Sequence, residues 1–307
     1  MRILVLGAGA LGGYFGARLI EAGADLAFLV RPVRAARLAE HGLRVESPFG
    51  AFHRPVTTLT AATPGWDVIL LACKAYDLDD AIAAIRPAVG PGTAILPVLN
   101  GLAHIETLSA AFGAQHVLGG LAKIQATLTP EGSIRHLNDW RYITFGELDG
   151  ALSPRILALR DAFANAPGVV AEAVPDVMAR LWEKLTHLGT SAIATVLMRA
   201  NVGEIARSPG GVALMARILE RNMAIAAHHG HPVRSGFLAE YTRVFSDPAS
   251  QYAASMLRDI EAGGRIEADH ILGFLLDAAR RAGVKDALHE AAFIHAKAYE
   301  QRRAAGR

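Results

Sequence analysis

The stretch Ile3-Leu4-Val5-Leu6-Gly7-Ala8-Gly9-Ala10-Leu11-Gly12-Gly13-Tyr14-Phe15-Gly16 says most about how this chain folds. Four apolar residues in an unbroken run read as a strand buried on both faces, the pattern of a parallel sheet interior. Three glycines follow at the spacing GxGxxG. A glycine at Gly7 permits the sharp turn out of the strand, the missing side chain at Gly9 lets backbone amides approach a pyrophosphate, and Gly12 lets the next helix lie close to the strand. The start of that helix offers unpaired N–H groups and the positive end of its dipole. Glycines alone also serve ordinary turns. Here the strand in front and the amphipathic stretch Tyr14–Ala22 behind supply the context that a dinucleotide site requires. Gly7, Ala8, Gly9, Ala10, Leu11 and Gly12 are therefore expected to cradle the cofactor phosphates.

Outward from this motif, apolar runs recur at Ile3–Leu6, Leu26–Val30, Val68–Ala72, Ala94–Val98 and His116–Gly119. Helix-like segments lie between several of them, at Gly12–Ala22, Val33–His41, Leu78–Ala88 and Ala103–Phe112. Alternating strands and helices predict a doubly wound α/β layer, a mostly parallel sheet covered on both faces. Leu43–Leu59 and Leu128–Gly146 have a more antiparallel look and are expected to extend one edge of that sheet. Beyond about Pro175 the pattern turns wholly helical, with Leu181–Met198, Val212–His229, Gly236–Phe245, Tyr252–Ala262, Ala268–Ala282 and Leu288–Arg303 as candidate helices. The division expected is a Rossmann-type domain over residues 1–170 and an all-α domain over residues 171–307.

Composition limits the function classes. The chain has 307 residues, 52% hydrophobic and 20% charged, enough for two real cores. A net charge of +2 is too small to point to nucleic acid or an anionic membrane. The single Cys73 excludes an internal disulfide framework and fits a reducing compartment. Met1 leads straight into the first strand, so no signal peptide is expected, and the longest uncharged helical stretch, Leu185–Met198, is too short to span a bilayer. The expectation is a cytoplasmic protein with a small-molecule substrate. No zinc-type spacing and no Walker loop occur, so no metal is expected.

The second strand indicates which dinucleotide. NAD sites usually carry an acid at its end, about twenty residues past the glycines, to bond the ribose hydroxyls. Here the strand ends Phe28-Leu29-Val30-Arg31, and Asp25 lies at its beginning. A guanidinium at Arg31 suits a 2′-phosphate, which favours NADP (NADPH). Arg34 and Arg37 read as a solvated basic helix face. Lys74 and Asn100 each follow an apolar run and so sit at carboxyl ends of parallel strands, where ligands bind in such sheets. Both are candidates for cofactor or substrate contacts. Asn100-Gly101 also reads as a plain turn pair, and Cys73 as a small hydrophobe in a buried strand.

The ordered landmarks resemble the ketopantoate reductase (2-dehydropantoate 2-reductase) family over nearly the whole chain. They are the opening glycine motif, Leu29-Val30-Arg31, Ala72-Cys73-Lys74-Ala75, Leu99-Asn100-Gly101, Trp182-Glu183-Lys184-Leu185, Ser255-Met256-Leu257-Arg258-Asp259-Ile260-Glu261-Ala262-Gly263, and Glu267. The resemblance implies a Rossmann domain followed by a helical domain with the active site in the cleft, and the reduction of 2-dehydropantoate to pantoate by NADPH on the way to pantothenate. It maps the general acid onto Lys184, the acid that holds the substrate hydroxyl and orients the lysine onto Glu267, and the serine that contacts the substrate carboxylate onto Ser255. On residue chemistry alone, Lys184 reads rather as a surface lysine paired with Glu183 or Asp176, Glu267 as an acid in the first turn of a helix, and Ser255 as a local cap or turn hydroxyl. His187, His104, His136 and His270 read as ordinary structural histidines. A homodimer formed by the helical domain is a hypothesis that the sequence does not test.

The match is uneven. Where the family usually carries asparagines, this chain has Leu188, Ala192 and Val202, and Asn201 falls one place early. The cofactor half fits well and the substrate half in part. The readings in order are the ketopantoate reductase reaction, a reductase of a different 2-keto acid or ketone in the same family, and an NADP(H)-binding sensor without turnover.

Overall fold

The computed structural model describes residues 1–306 and divides them into two compact units. The first comprises Met1–Leu99 with His104–Val177, and the second Asn100–Ala103 with the described residues from Met178 onward. The parting falls later than residue 170 because a further strand, Val170–Ala173, still belongs to the first unit.

The first unit is built on the expected parallel sheet. Its strands are β1 (Arg2–Leu6) and β2 (Asp25–Leu29), joined by α1 (Ala10–Glu21). After α2 (Pro32–His41), β3 (Leu43–Glu46) and β4 (Phe52–Arg54) come β5 (Thr58–Leu59), β6 (Val68–Leu71), α3 (Leu78–Ile85) and β7 (Ala94–Pro97). The order is β5-β2-β1-β6-β7, with every pairing parallel. Alternate residues of each strand feed opposite faces, as a pleated strand requires. Ile3 and Val5 of β1, Val68 and Leu70 of β6, and Leu96 of β7 join one core with Phe15 of α1. Leu4, Ile69, Leu71 and Ile95 join another with Leu78, Ile82 and Ile85 of α3 and with Ile105 and Leu108 of α4 (Ala103–Phe112). Burial on both faces explains why these strands read as continuous apolar runs.

The edge-extension expectation holds for β5, which forms an edge of the first sheet, and is corrected for the other strands. β8 (Leu118–Leu128), β9 (Ile134–Glu147) and β10 (Val170–Ala173) form a second sheet with β3 and β4, ordered β10-β9-β3-β4, with β8 on β9. A parallel bridge, Ile95 to Val117, links the two sheets. The second sheet turns its apolar side to the first-sheet face that carries α1: Leu43, Phe52, Ile134, Ile143 and Phe145 share a core with Phe15 and with Ile156, Leu159 and Phe163 of α5 (Pro154–Phe163). A strand pattern shows which side of a strand is buried, and not which sheet it joins.

The second unit is helical: α6 (Val177–Met198), α7 (Val202–Arg207), α8 (Gly211–His228), α9 (Phe237–Ser246), α10 (Ser255–Glu261), a π turn at Asp269–Gly273 that runs into α11 (Phe274–Arg281), and α12 (Ala287–Ala304). α7 and the π turn carry too few residues to show periodicity. A buried polar chain ties three of the helices. His289 Nε2 of α12 donates to Asn222 Oδ1 of α8 at 2.8 Å, Asn222 Nδ2 donates to Thr190 Oγ1 of α6 at 3.0 Å, and Thr190 Oγ1 donates to the Thr186 carbonyl at 2.8 Å. Burial and the neighbouring Arg221 charge lower the His289 imidazole to about 4, so it is neutral.

Candidate active site

The glycine loop has the geometry that its spacing predicts. Gly7 adopts φ +91°, a left-handed conformation that side chains disfavour, and so turns the chain out of β1. A Cβ at Gly12 would sit 2.2 Å from the Gly7 carbonyl oxygen, 3.1 Å from Val5 and 3.2 Å from Ala72. Only glycine lets α1 lie this close to the sheet. By contrast, a Cβ at Gly9 would meet nothing within 4 Å. Gly9 is the N-cap of α1, no side chain caps the helix, and no acid stands in its first turn. Ala10, Leu11 and Gly12 therefore begin a helix whose first amides have no side-chain cap, beside the open space at Gly9, an arrangement suited to an anion. The strand order reverses on either side of β1, the position where open α/β sheets bind ligands.

Around this loop the basic residues separate into two kinds. Arg31 lies just past β2 as N-cap of α2, 78% exposed, with only a long 3.8 Å contact to Asp77. It is available to a ligand. Arg34 is half-buried, which corrects the expectation of a solvated face, while Arg37 stays exposed. Arg34 Nη2 donates to the Ala8 carbonyl at 2.9 Å, and both its terminal nitrogens donate to the Gly132 carbonyl, while Arg37 donates to the Pro130 carbonyl at 2.8 Å. These two arginines pin the glycine loop and the β8–β9 turn to α2. Lys74 is exposed past the end of β6, at the N-cap of a short 3₁₀ turn. Cys73 is also past β6 and partly accessible, not in the buried strand.

In the second unit, α6 carries Lys184. Part of the residue is accessible, yet protein surrounds it densely, and this burial pushes the ammonium down to about 8 against the opposing pull of the Glu267 carboxylate. Glu267 is itself buried and stands at the start of the helical stretch that opens at Ala268, where its carbonyl accepts from the Ile271 N–H at 3.1 Å. Glu183 does not pair with Lys184: it accepts from Arg234 Nε at 2.9 Å. Asn100, assigned to the same unit, supplies a backbone carbonyl that accepts from the His270 ring. His270 is lowered by burial and raised in turn by Glu267 and by that carbonyl. A Cβ at Gly101, where φ is +88°, would sit 2.8 Å from the His270 ring, so the Asn-Gly turn is shaped to that ring. Lys184, Glu267, His270 and Asn100 thus form one electrostatic group. Ser255 opens α10, but Ala254 occupies the N-cap position, and no side chain caps this helix. The cap reading of Ser255 is excluded, and its hydroxyl has no partner among the described residues.

Comparison with known proteins agrees with this organisation. Residues 3–150 match the family described as "Ketopantoate reductase PanE/ApbA", and residues 176–300 match its C-terminal counterpart. The chain belongs to the ketopantoate reductase family. An "uncharacterized oxidoreductase" of Bacillus subtilis is 34% identical over 98% of this chain and 99% of the relative. The 2-dehydropantoate 2-reductase of Aquifex aeolicus is 26% identical over 94% of each chain. The crystal structure of 2-dehydropantoate 2-reductase from Methylococcus capsulatus superposes with a TM-score of 0.88 at 29% identity, covering 99% of this chain and 98% of that one. The fold and the oxidoreductase family are thereby established.

Two features of this member of the ketopantoate reductase family are not legible in the sequence. His270 reads there as structural, because contact with Asn100 joins residues far apart in the chain and no local spacing marks it. The π turn at Asp269–Gly273 also leaves no signal, although such turns often mark functional sites. The asparagine positions are clarified as well. Ala192 and Val202 are buried, and Asn201 caps α7: Asn201 Oδ1 accepts from the Glu204 N–H at 2.9 Å, and the Glu204 carboxylate accepts from the Asn201 N–H at 2.8 Å. Asn201 is committed to its helix. Among the described residues no His, Cys, Asp and Glu cluster could hold a metal ion, and no helix is long and apolar enough to cross a membrane.

Proposed function

We propose that the protein reduces a 2-oxo acid, of which 2-dehydropantoate is the leading candidate, to its 2-hydroxy acid with NADPH as reductant. The amides of Ala10, Leu11 and Gly12 would hold the cofactor pyrophosphate, and Arg31 the 2′-phosphate. When bound, the nicotinamide supplies the hydride. The protein must then manage the charge that develops on the ketone oxygen. Lys184 is suited to that role, because a desolvated ammonium titrating at about 8 is charged at neutral pH and is still acidic enough to give up its proton. Glu267 keeps the ammonium protonated and oriented. Ser255, with an unengaged hydroxyl, is assigned to the substrate carboxylate, and Asn100 to the cofactor or substrate.

The burial of Lys184 beside Glu267 is the observation that carries this reading. Of the two surface partners that the sequence offers Lys184, Glu183 and Asp176, Glu183 is taken by Arg234. A reductase acting on a different 2-oxo acid is the second reading, favoured by the aliphatic Leu188, Ala192 and Val202. The test follows NADPH absorbance with 2-dehydropantoate and a panel of other 2-oxo acids. Turnover that falls about 10²–10⁴-fold in Lys184→Ala, with NADPH binding retained, is expected for loss of a general acid. NADPH binding without turnover of any 2-oxo acid would leave only a sensor.

A further inference from the structure

One turn of α6 beyond Lys184, the helix presents His187 and Leu188, and one turn further Ser191. Residues at i, i+3, i+4 and i+7 share one face of a helix. His187 faces a wall of rings: its centroid lies 4.5 Å from Tyr241, 5.7 Å from Phe245 and 5.8 Å from Tyr252, and it is nearly parallel to the last at 19°. Of these rings Phe245 is buried, as is Phe237, which packs on Tyr241. His187, Leu188, Tyr241 and Tyr252 each keep part of their surface accessible, so the cluster has an open side and is not sealed core.

The hydroxyls that α6 carries here are already engaged. Ser191 Oγ donates to the Leu188 carbonyl at 2.9 Å and meets the Tyr252 hydroxyl at 3.1 Å. Thr186 and Thr195 donate to carbonyls one turn back on α6, at 2.9 and 2.7 Å. The Tyr252 backbone is fixed too, since its carbonyl accepts from the Val202 N–H at 2.9 Å. What the α6 face offers beside Lys184 is therefore ring surface and a leucine, with its hydroxyls paired inside the protein. Ser255, three residues past Tyr252, lies at the start of the next helix. On α6 itself a hydroxylated side group would find no free hydroxyl to replace its water, which leaves the Tyr241 and Ser255 hydroxyls to meet it. The ring surface favours a flat apolar group that stacks.

Resting on the reading that Lys184 protonates a 2-oxo acid, we infer that the side group of the preferred substrate is an aromatic ring held against His187, Tyr241 and Tyr252. These three residues and Leu188 then determine specificity, while Lys184 and Glu267 serve the reacting carbon.

The test compares phenylglyoxylate and phenylpyruvate with 2-dehydropantoate and 2-oxobutyrate, each assayed with NADPH on wild type, Tyr241→Leu and Leu188→Asn, with folding of the variants checked by thermal melting. The expected result is a kcat/KM for an aryl acid about tenfold or more above that for 2-dehydropantoate. Tyr241→Leu should lower the ratio of aryl acid to 2-oxobutyrate about tenfold, chiefly through KM, and Leu188→Asn should shift preference toward 2-dehydropantoate. Preference for 2-dehydropantoate in wild type, or equal losses on every substrate in a folded Tyr241→Leu, would overturn the aromatic assignment and leave the reductase reading standing. Absence of turnover with all four acids would overturn both.

Discussion

At the level of single residues, hydrogen bonding separates the arginine proposed to meet the cofactor from the two that brace the loop. Arg31 is open to solvent at the end of β2, whereas Arg34 and Arg37 direct their donors at backbone carbonyls. Arg31→Ala is therefore expected to weaken NADPH about tenfold or more while leaving NADH nearly unchanged, as loss of a charge-assisted phosphate contact should. Fluorescence titration with each dinucleotide decides this, and equal weakening of both would remove the 2′-phosphate role. Arg31 is legible in the sequence because it occupies a fixed place after a strand. Arg34 is not, since its partners Ala8 and Gly132 are brought to it by the fold. Lys184 and Glu267 are legible only through family resemblance: no periodicity brings residues from two distant segments together.

Among elements, the junction of β1 and α1 uses its glycines in two different ways. Gly12 makes room for packing, and Gly9 leaves room for a ligand. Gly12→Ala should force α1 off the sheet and lower stability by about 1–3 kcal/mol, the usual range for overpacking. Gly9→Ala places a methyl in open space at an ordinary φ of −86°, so stability should hold while dinucleotide affinity falls. Thermal melting and NADPH titration of both variants distinguish the roles, and a Gly9→Ala protein that binds NADPH normally would rule out the cradle. The β1–α1 unit is readable to within a few residues because strand, turn and helix each have a local cause. The pairing of β8, β9 and β10 into a second sheet is not, because it depends on which apolar faces meet.

For the whole molecule, stability carries a pH signature from the helical unit. His289 is buried and neutral, held at about 4 against an ordinary value of 6.5, and its Nδ1 has no partner. Between those values the unfolded chain binds a proton that the folded protein does not, so stability falls as pH drops below about 6.5. At about 1.36 kcal/mol per unit, this one group removes about 2 kcal/mol between pH 7 and pH 5. His289→Gln keeps a donor toward Asn222 and should flatten this part of the profile in urea melts. An unchanged profile would show that other groups set it. The division into an α/β unit and a helical unit is legible from the change in periodicity near Pro175. The polar chain from Thr190 through Asn222 to His289 is not, since it links three separate helices.

The role of Lys184 as proton donor stands or falls on the pH dependence of ketone reduction by wild type and Lys184→Ala. Lys184 titrates at about 8 and must be protonated to act. For wild type, kcat/KM with the best 2-oxo acid is expected to be level below about pH 8 and to fall about tenfold per unit above it, with the break absent from the residual activity of Lys184→Ala. A wild-type profile that stays flat to about pH 10, well past the lysine's shifted value, or a Lys184→Ala enzyme that keeps both the rate and the break, would refute that role.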